Sequence, residues 1–131
     1  MGEEFAVPAE FQLALKYTNE GKTCFILLRK EVLTFGRSSS VDIVSAVTLV
    51  SRNHCNILYL DGNFYLQDAD SSNGTKLNGI KIRRWILHRL KVSDMLEIPS
   101  MPLYTVVPMA EALAHTNSDT AVNIPVIQPE A

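Results

Sequence analysis

Apolar and polar residues alternate along the first regular stretch of the chain. Phe11, Leu13, Leu15 and Tyr17 are separated by Gln12, Ala14, Lys16 and Thr18. Successive side chains of a strand point to opposite faces, so this pattern predicts a half-buried strand. Short apolar runs recur after it. Residues 23–28 follow the break Asn19-Glu20-Gly21-Lys22, and residues 32–35 end at Gly36. Residues 55–60 and 64–66 flank Asp61-Gly62-Asn63. Asp-Gly between two apolar runs predicts a hairpin, because glycine accepts the positive φ that the tight turn demands. Asn78-Gly79 offers a second such turn between residues 75–77 and 80–82. Residues 85–90, 95–98 and 103–107 complete the set of expected strands, with Trp85 expected in the core.

Many short strands with frequent turn signals, and no long helical period, predict an all-β sandwich rather than an α/β fold. Residues 109–115 (MAEALAH) are long enough for about two helical turns, which are marginal in isolation. From Met109 onward there is no Lys or Arg, and Pro125 and Pro129 interrupt any regular element. The expected organisation is a flexible segment over residues 1–9, a domain over 10–108 and a flexible tail over 109–131. The apolar loop 44–50 (VSAVTLV) is expected to tuck into the core, since exposed apolar runs are costly, with contact to a hydrophobic residue of a partner as the alternative.

Composition narrows the function classes. At 131 residues the chain is one domain by length, and it needs no staples to bury a core. Hydrophobic content of 47% with 20% charged residues excludes a disordered chain. Twelve basic against fourteen acidic residues, with a pI near 5.9, exclude a nucleic-acid module held by bulk positive charge. Cys24 and Cys55 match neither a disulfide framework nor a zinc spacing, and are expected as free thiols in a reducing compartment. The start Met1-Gly2-Glu3-Glu4-Phe5 is acidic where a signal peptide is basic. No run approaches the ~18 apolar residues of a membrane helix. A soluble intracellular protein, in nucleus or cytoplasm and without a membrane partner, is the expectation.

Three segments carry the candidate chemistry. They are Gly36-Arg37-Ser38-Ser39-Ser40 at a strand end, Ser51-Arg52-Asn53-His54 before a strand, and Asp68-Ala69-Asp70-Ser71-Ser72-Asn73-Gly74-Thr75 followed by Leu77-Asn78-Gly79. All fall at strand ends or in loops, where binding residues on a rigid sandwich concentrate. In this order they resemble the forkhead-associated (FHA) domain. That family shows a Gly-Arg pair, a Ser-Arg-x-His-like motif and an Asp-x-x-Ser-x-Asn-Gly-Thr-x-x-Asn-Gly stretch. The resemblance covers roughly residues 10–108. One departure is Val92-Ser93-Asp94, which stands where the family often has a Gly-Asp turn.

The resemblance implies a two-sheet sandwich of about eleven strands whose loops at one end bind phosphothreonine in a partner. Arg37 and Ser51 would hold the phosphate, and Arg52 would add a second cationic contact. Asn73 would bond the partner's backbone, with Ser72 beside it on the same loop. Gly36, His54 and Gly74 would shape and brace those loops. The residue types suit the task independently. A phosphothreonine carries about −1.5 to −2 charges and three acceptor oxygens. The arginine fork matches phosphate geometry better than a point charge.

Other readings of the same residues are weaker. Ser51 with His54 hints at a nucleophile and base, but the Gly-x-Ser-x-Gly elbow is absent and no third group is identifiable, so no enzyme is expected. Asp68, Asp70 and Ser72 mimic a calcium loop whose sixth position is Asn73 and whose twelfth is Gly79, so calcium is rejected. No metal or cofactor is expected. Segment 76–91 holds Lys76, Lys81, Arg83, Arg84, Arg89 and Lys91 and no acid. It reads as a solvated face, with acidic-peptide attraction or weak nucleic-acid binding as alternatives. A phosphate-independent interaction module on the same fold is a further alternative. The expected state is a monomer. Phosphorylated Thr116 or Thr120 in the tail would offer a route to self-association.

Overall fold

Turn chemistry sets the hairpins. Asp61 and Gly62 take φ of +49° and +88°, and Asn78 and Gly79 take +54° and +82°. Positive φ at both central residues is the two-residue turn that matches the twist of antiparallel strands. The first joins β5 (Cys55–Leu60) to β6 (Asn63–Asp68), and the second joins β7 (Lys76–Leu77) to β8 (Ile80–Lys81). A third hairpin joins β1 (Leu13–Asn19) to β2 (Lys22–Leu27) across Glu20-Gly21.

The computed structural model describes residues 12–115 and 120–123. The remaining elements are β3 (Val32–Gly36), β4 (Ile43–Val44), β9 (His88–Arg89), β10 (Met95–Glu97), β11 (Tyr104–Pro108), α1 (Met109–Ala114) and β12 (Thr120–Asn123). They form two sheets, ordered β12-β2-β1-β11-β10-β7-β8 and β4-β3-β5-β6-β9. The all-β two-sheet sandwich expected from the strand pattern is therefore present, with eleven strands before the tail and β12 added to the first sheet.

The inner faces enclose one core, in which Leu15, Phe35, Ile57, Phe64, Leu66 and Val106 are all but completely buried. Tyr104 packs edge-on against Phe35, with centroids 5.8 Å apart. The turn at Val92-Ser93-Asp94 closes without glycine. Ser93 adopts a φ of +83°, and the buried Asp94 carboxylate accepts the Lys91 N–H at 2.8 Å and the Asn78 side-chain amide at 3.0 Å.

Four expectations change. Residues 109–114, expected within a flexible tail, form α1, because Met109 and Ala112 bury against Ala14, Phe25, Leu27 and Val107 on the outer face of the first sheet. Tertiary packing supplies what the short helix lacks alone. Lys16 adds an ion pair to Glu111 at 3.0 Å, and the Phe25 and His115 rings lie 5.4 Å apart. Residues 120–123 pair parallel with β2, so the folded body extends past 108. The strand expected over 85–90 shrinks to His88–Arg89, and Trp85 is 55% exposed in a turn instead of buried in the core. Loop 44–50 stays outside as well: Val44, Val47 and Leu49 are exposed and only Val50 is buried. Residues 1–9 and Thr116 lie outside the described residues, and Thr120 is described only as backbone in β12.

Candidate functional site

At one end of the sandwich three loops meet: the chain leaving β3, the segment 45–54 before β5, and the segment 69–75 after β6. Main-chain bonds stitch the first two together. Arg37 N–H donates to Ser51 O at 2.9 Å, Ser38 N–H to Arg52 O at 3.2 Å, and His54 N–H to Phe35 O at 2.8 Å. This close approach is what Gly36 permits. A Cβ there would sit 2.1 Å from the Arg52 carbonyl oxygen, well inside contact distance.

His54 joins all three loops from below. It is fully buried, and its Nδ1 accepts the Ser51 backbone N–H at 3.0 Å. A backbone N–H can only donate, so the ring proton is on Nε2, which donates to Gly74 O at 2.8 Å. Both ring nitrogens are thereby occupied, and neither is available as a base for the Ser51 hydroxyl. Gly74 itself has a φ of +88°, and a Cβ on it would run into the Lys81 side chain.

A buried carboxylate organises the third loop. Asp68 is 3% exposed. Its Oδ1 accepts the Ser71 and Thr75 hydroxyls, each at 2.6 Å, and its Oδ2 accepts the Ser71 N–H at 3.0 Å. Ser71 Oγ in turn accepts the Gly74 N–H at 3.0 Å. Burial pushes the Asp68 carboxyl up, but these bonds from Ser71 and Thr75 outweigh it and hold the group below the usual aspartate value of 3.8. Beside it, burial pushes the Cys55 thiol far up, which leaves no thiolate to react at neutral pH.

The five expected contact residues all reach this end of the molecule. The half-buried Arg37 donates Nε–H to Val50 O at 2.9 Å, and its two terminal nitrogens make no hydrogen bond among the described residues. Ser51 Oγ accepts the Ser72 N–H at 2.9 Å, which ties the second loop to the third and leaves the hydroxyl proton to donate elsewhere. Asn73 Nδ2 donates to Leu49 O at 2.8 Å and pins loop 44–50, while its Oδ1 carries no bond among the described residues. Arg52, Ser72 and Asn73 are exposed. Neither Arg37 nor Arg52 forms an ion pair among the described residues, so the crown loops carry two guanidinium charges without a carboxylate partner there. A groove of about 340 Å³ continues from Asn73 and Gly74 past Lys76 to Pro99, Met101 and Leu103.

The roles of Asp68, Ser71 and Thr75 were not separated from the motif by sequence reasoning. The available signal was Asp68 followed three positions later by Ser71, a spacing at which an aspartate side chain bonds back to the local main chain. No group of three or more His, Cys, Asp and Glu side chains is placed to hold a metal among the described residues.

The FHA domain family model matches residues 33–99, half of the chain. No curated protein sequence matches it. Solved structures do. The Mycobacterium tuberculosis protein EmbR, in complex with a low-affinity phosphopeptide, superposes with a TM-score of 0.64 at 25% identity, covering 78% of this chain but only 26% of EmbR. The N-terminal FHA domain of Saccharomyces cerevisiae Rad53p, in complex with a phosphothreonine peptide, gives a TM-score of 0.53 at 29% identity over 65% of this chain and 73% of that one. The MEK1 FHA domain in complex with the HOP1 pThr318 peptide gives 0.58 at 26% identity, over 75% and 97%.

Proposed function

The chain belongs to the FHA domain family, and on that premise we propose that it is a non-catalytic module that binds a phosphothreonine-bearing segment of a partner protein. The carrying observation is the crown itself. Two guanidinium groups without an ion pair among the described residues, Arg37 and Arg52, lie on loops joined to a Ser51 hydroxyl whose proton is uncommitted among those residues. Such a set is matched to a dianionic ester with several acceptor oxygens. Asn73 and Ser72, exposed on the adjoining loop, address the partner's main chain, and the groove past Lys76 gives the segment room to continue. The phosphothreonine peptides held by the Rad53p and MEK1 domains support threonine as the carrier residue.

Each charge-assisted bond contributes about 1.5–3 kcal/mol net. Two or three of them with Asn73 reach about −8 kcal/mol, a micromolar affinity suited to reversible recruitment in signalling. Catalysis has no support in the geometry, because the imidazole nearest Ser51 is engaged at both nitrogens. The test is calorimetric titration with one peptide sequence in phosphothreonine, phosphoserine and unmodified forms. Micromolar binding of the first alone is expected. Equal binding of the unmodified peptide would replace this reading with phosphate-independent association.

A further inference from the structure

The turn between β8 and β9 takes no part in the crown, yet the fold holds it with care. Trp85 is the only tryptophan of the chain, and its φ is +66°. That conformation is strained for a bulky residue and persists only where the surroundings impose it. Here they do. Trp85 N–H donates to Asp68 O at 2.8 Å, Gln67 Nε2 donates to Trp85 O at 3.3 Å, and Arg84 bridges to Asp68 and bonds Asp70 Oδ1 at 2.6 Å. With the backbone fastened on both sides, the side chains stand outward. Trp85, Ile86 and Leu87 are 55%, 50% and 40% exposed.

The segment that carries this tip has charge of one sign. Residues 76–91 carry six basic side chains, all exposed, and no acidic one, while the rest of the chain has six basic and fourteen acidic residues. Arg84 pairs with Asp70, and Lys91 lies 3.8 Å from Asp94. Lys76, Lys81, Arg83 and Arg89 form no ion pair among the described residues. Half of the chain's basic residues thus lie in the one segment that carries the exposed apolar tip.

We propose that this turn docks the protein on an anionic lipid bilayer, with Trp85, Ile86 and Leu87 entering the boundary between headgroups and acyl chains while Arg83, Arg89 and Lys81 meet the headgroup charges. Exposed apolar residues ringed by cations mark interaction surfaces. Indole rings favour the membrane interface, and basic clusters favour anionic leaflets. Two observations select lipid over a macromolecular partner. Trp85, Ile86 and Leu87 are consecutive and all exposed, and a fluid apolar phase takes up such a run without the fitted clefts that a folded acidic partner would need. Against a nucleic acid, the aliphatic Ile86 and Leu87 have no apolar surface to meet. The sequence expectation of no membrane partner rests on the lack of a spanning segment. No helix among the described residues is long and apolar enough to cross a membrane, but a surface contact needs none.

The single tryptophan reports the contact directly. The whole protein, without phosphopeptide, is mixed with vesicles of phosphatidylcholine plus phosphatidylserine and with vesicles of phosphatidylcholine alone. A blue shift of tryptophan emission and co-sedimentation are expected with the first vesicles and not the second, declining as salt is raised. Trp85→Ser and Arg83→Glu, each with an unchanged far-ultraviolet spectrum, should each lower sedimentation by about tenfold. The proposal is overturned if the wild-type protein neither shifts nor sediments, or if Trp85→Ser sediments as well as wild type. It is equally overturned if polyglutamate or duplex DNA produces the shift and the mixed vesicles do not. Because no phosphopeptide is present, the result is independent of binding at the crown.

Discussion

The lower and upper layers of the crown use the same kinds of side chain in opposite ways. Below, His54, Asp68, Ser71 and Thr75 direct their polar atoms at one another or at the main chain. Above, Arg37, Ser51 and Asn73 each use one polar atom to hold their own loop and keep another uncommitted. The lower layer uses its hydrogen bonds on the loops themselves. The upper layer is fixed in place but still has donors to offer. Preorganisation of this kind lowers the ordering cost of binding. The division predicts that damage below reads out as lost stability, and damage above as lost affinity.

The sharpest test of that division is Arg37→Ala. It should weaken phosphothreonine-peptide binding by about 3 kcal/mol, on the order of a hundredfold, while costing no more than about 1 kcal/mol of stability for the lost bond to Val50. Paired calorimetry and denaturant unfolding check it, and a variant that unfolds as it loses binding would break the comparison. Gly36→Ala should do the reverse. Its Cβ meets the Arg52 carbonyl, so about 2–3 kcal/mol of stability is expected to go, with binding weakened secondarily as the main chain at Ser51 and Arg52 shifts.

Asp68→Asn removes the charge that three donors converge on, and should cost about 2 kcal/mol with little change in affinity per folded molecule. The same carboxylate predicts an acid limb. Its folded pKa lies below its unfolded one, so its contribution is complete above the ordinary value of 3.8 and is lost as pH falls through the lower folded value. Unfolding midpoints should decline toward acid in the wild type, and decline less steeply in Asp68→Asn. The smallest effect belongs to Arg52→Ala. Its exposed side chain should contribute about 1 kcal/mol to affinity, roughly a fivefold change, and most of that should vanish in high salt.

Legibility in the sequence follows the same layering. The expected contact residues Arg37, Ser51, Arg52, Ser72 and Asn73 could be singled out because the three motifs that hold them stand in the order of the FHA pattern. Gly36, His54 and Gly74 were legible only as part of the pattern. Why Gly36 must be glycine depends on the carbonyl of Arg52, sixteen positions away. The bond from Ser72 to Ser51 spans twenty-one positions, and nothing local to either residue indicates it.

By itself the sequence determined the hairpins, the all-β class and the three motifs that meet at one end of the sandwich. Those features rest on steric limits within two or three adjacent residues, as at Asp61-Gly62 and Asn78-Gly79. Only the tertiary structure decided what is inside and what is outside. Trp85 is outside because Asp68 and Gln67 hold its backbone in a turn, Leu49 because Asn73 anchors its carbonyl, and α1 is folded because Phe25 and Val107 present an apolar face for it to cover. Burial is set by which elements meet across the chain, and a residue's own character does not contain that information.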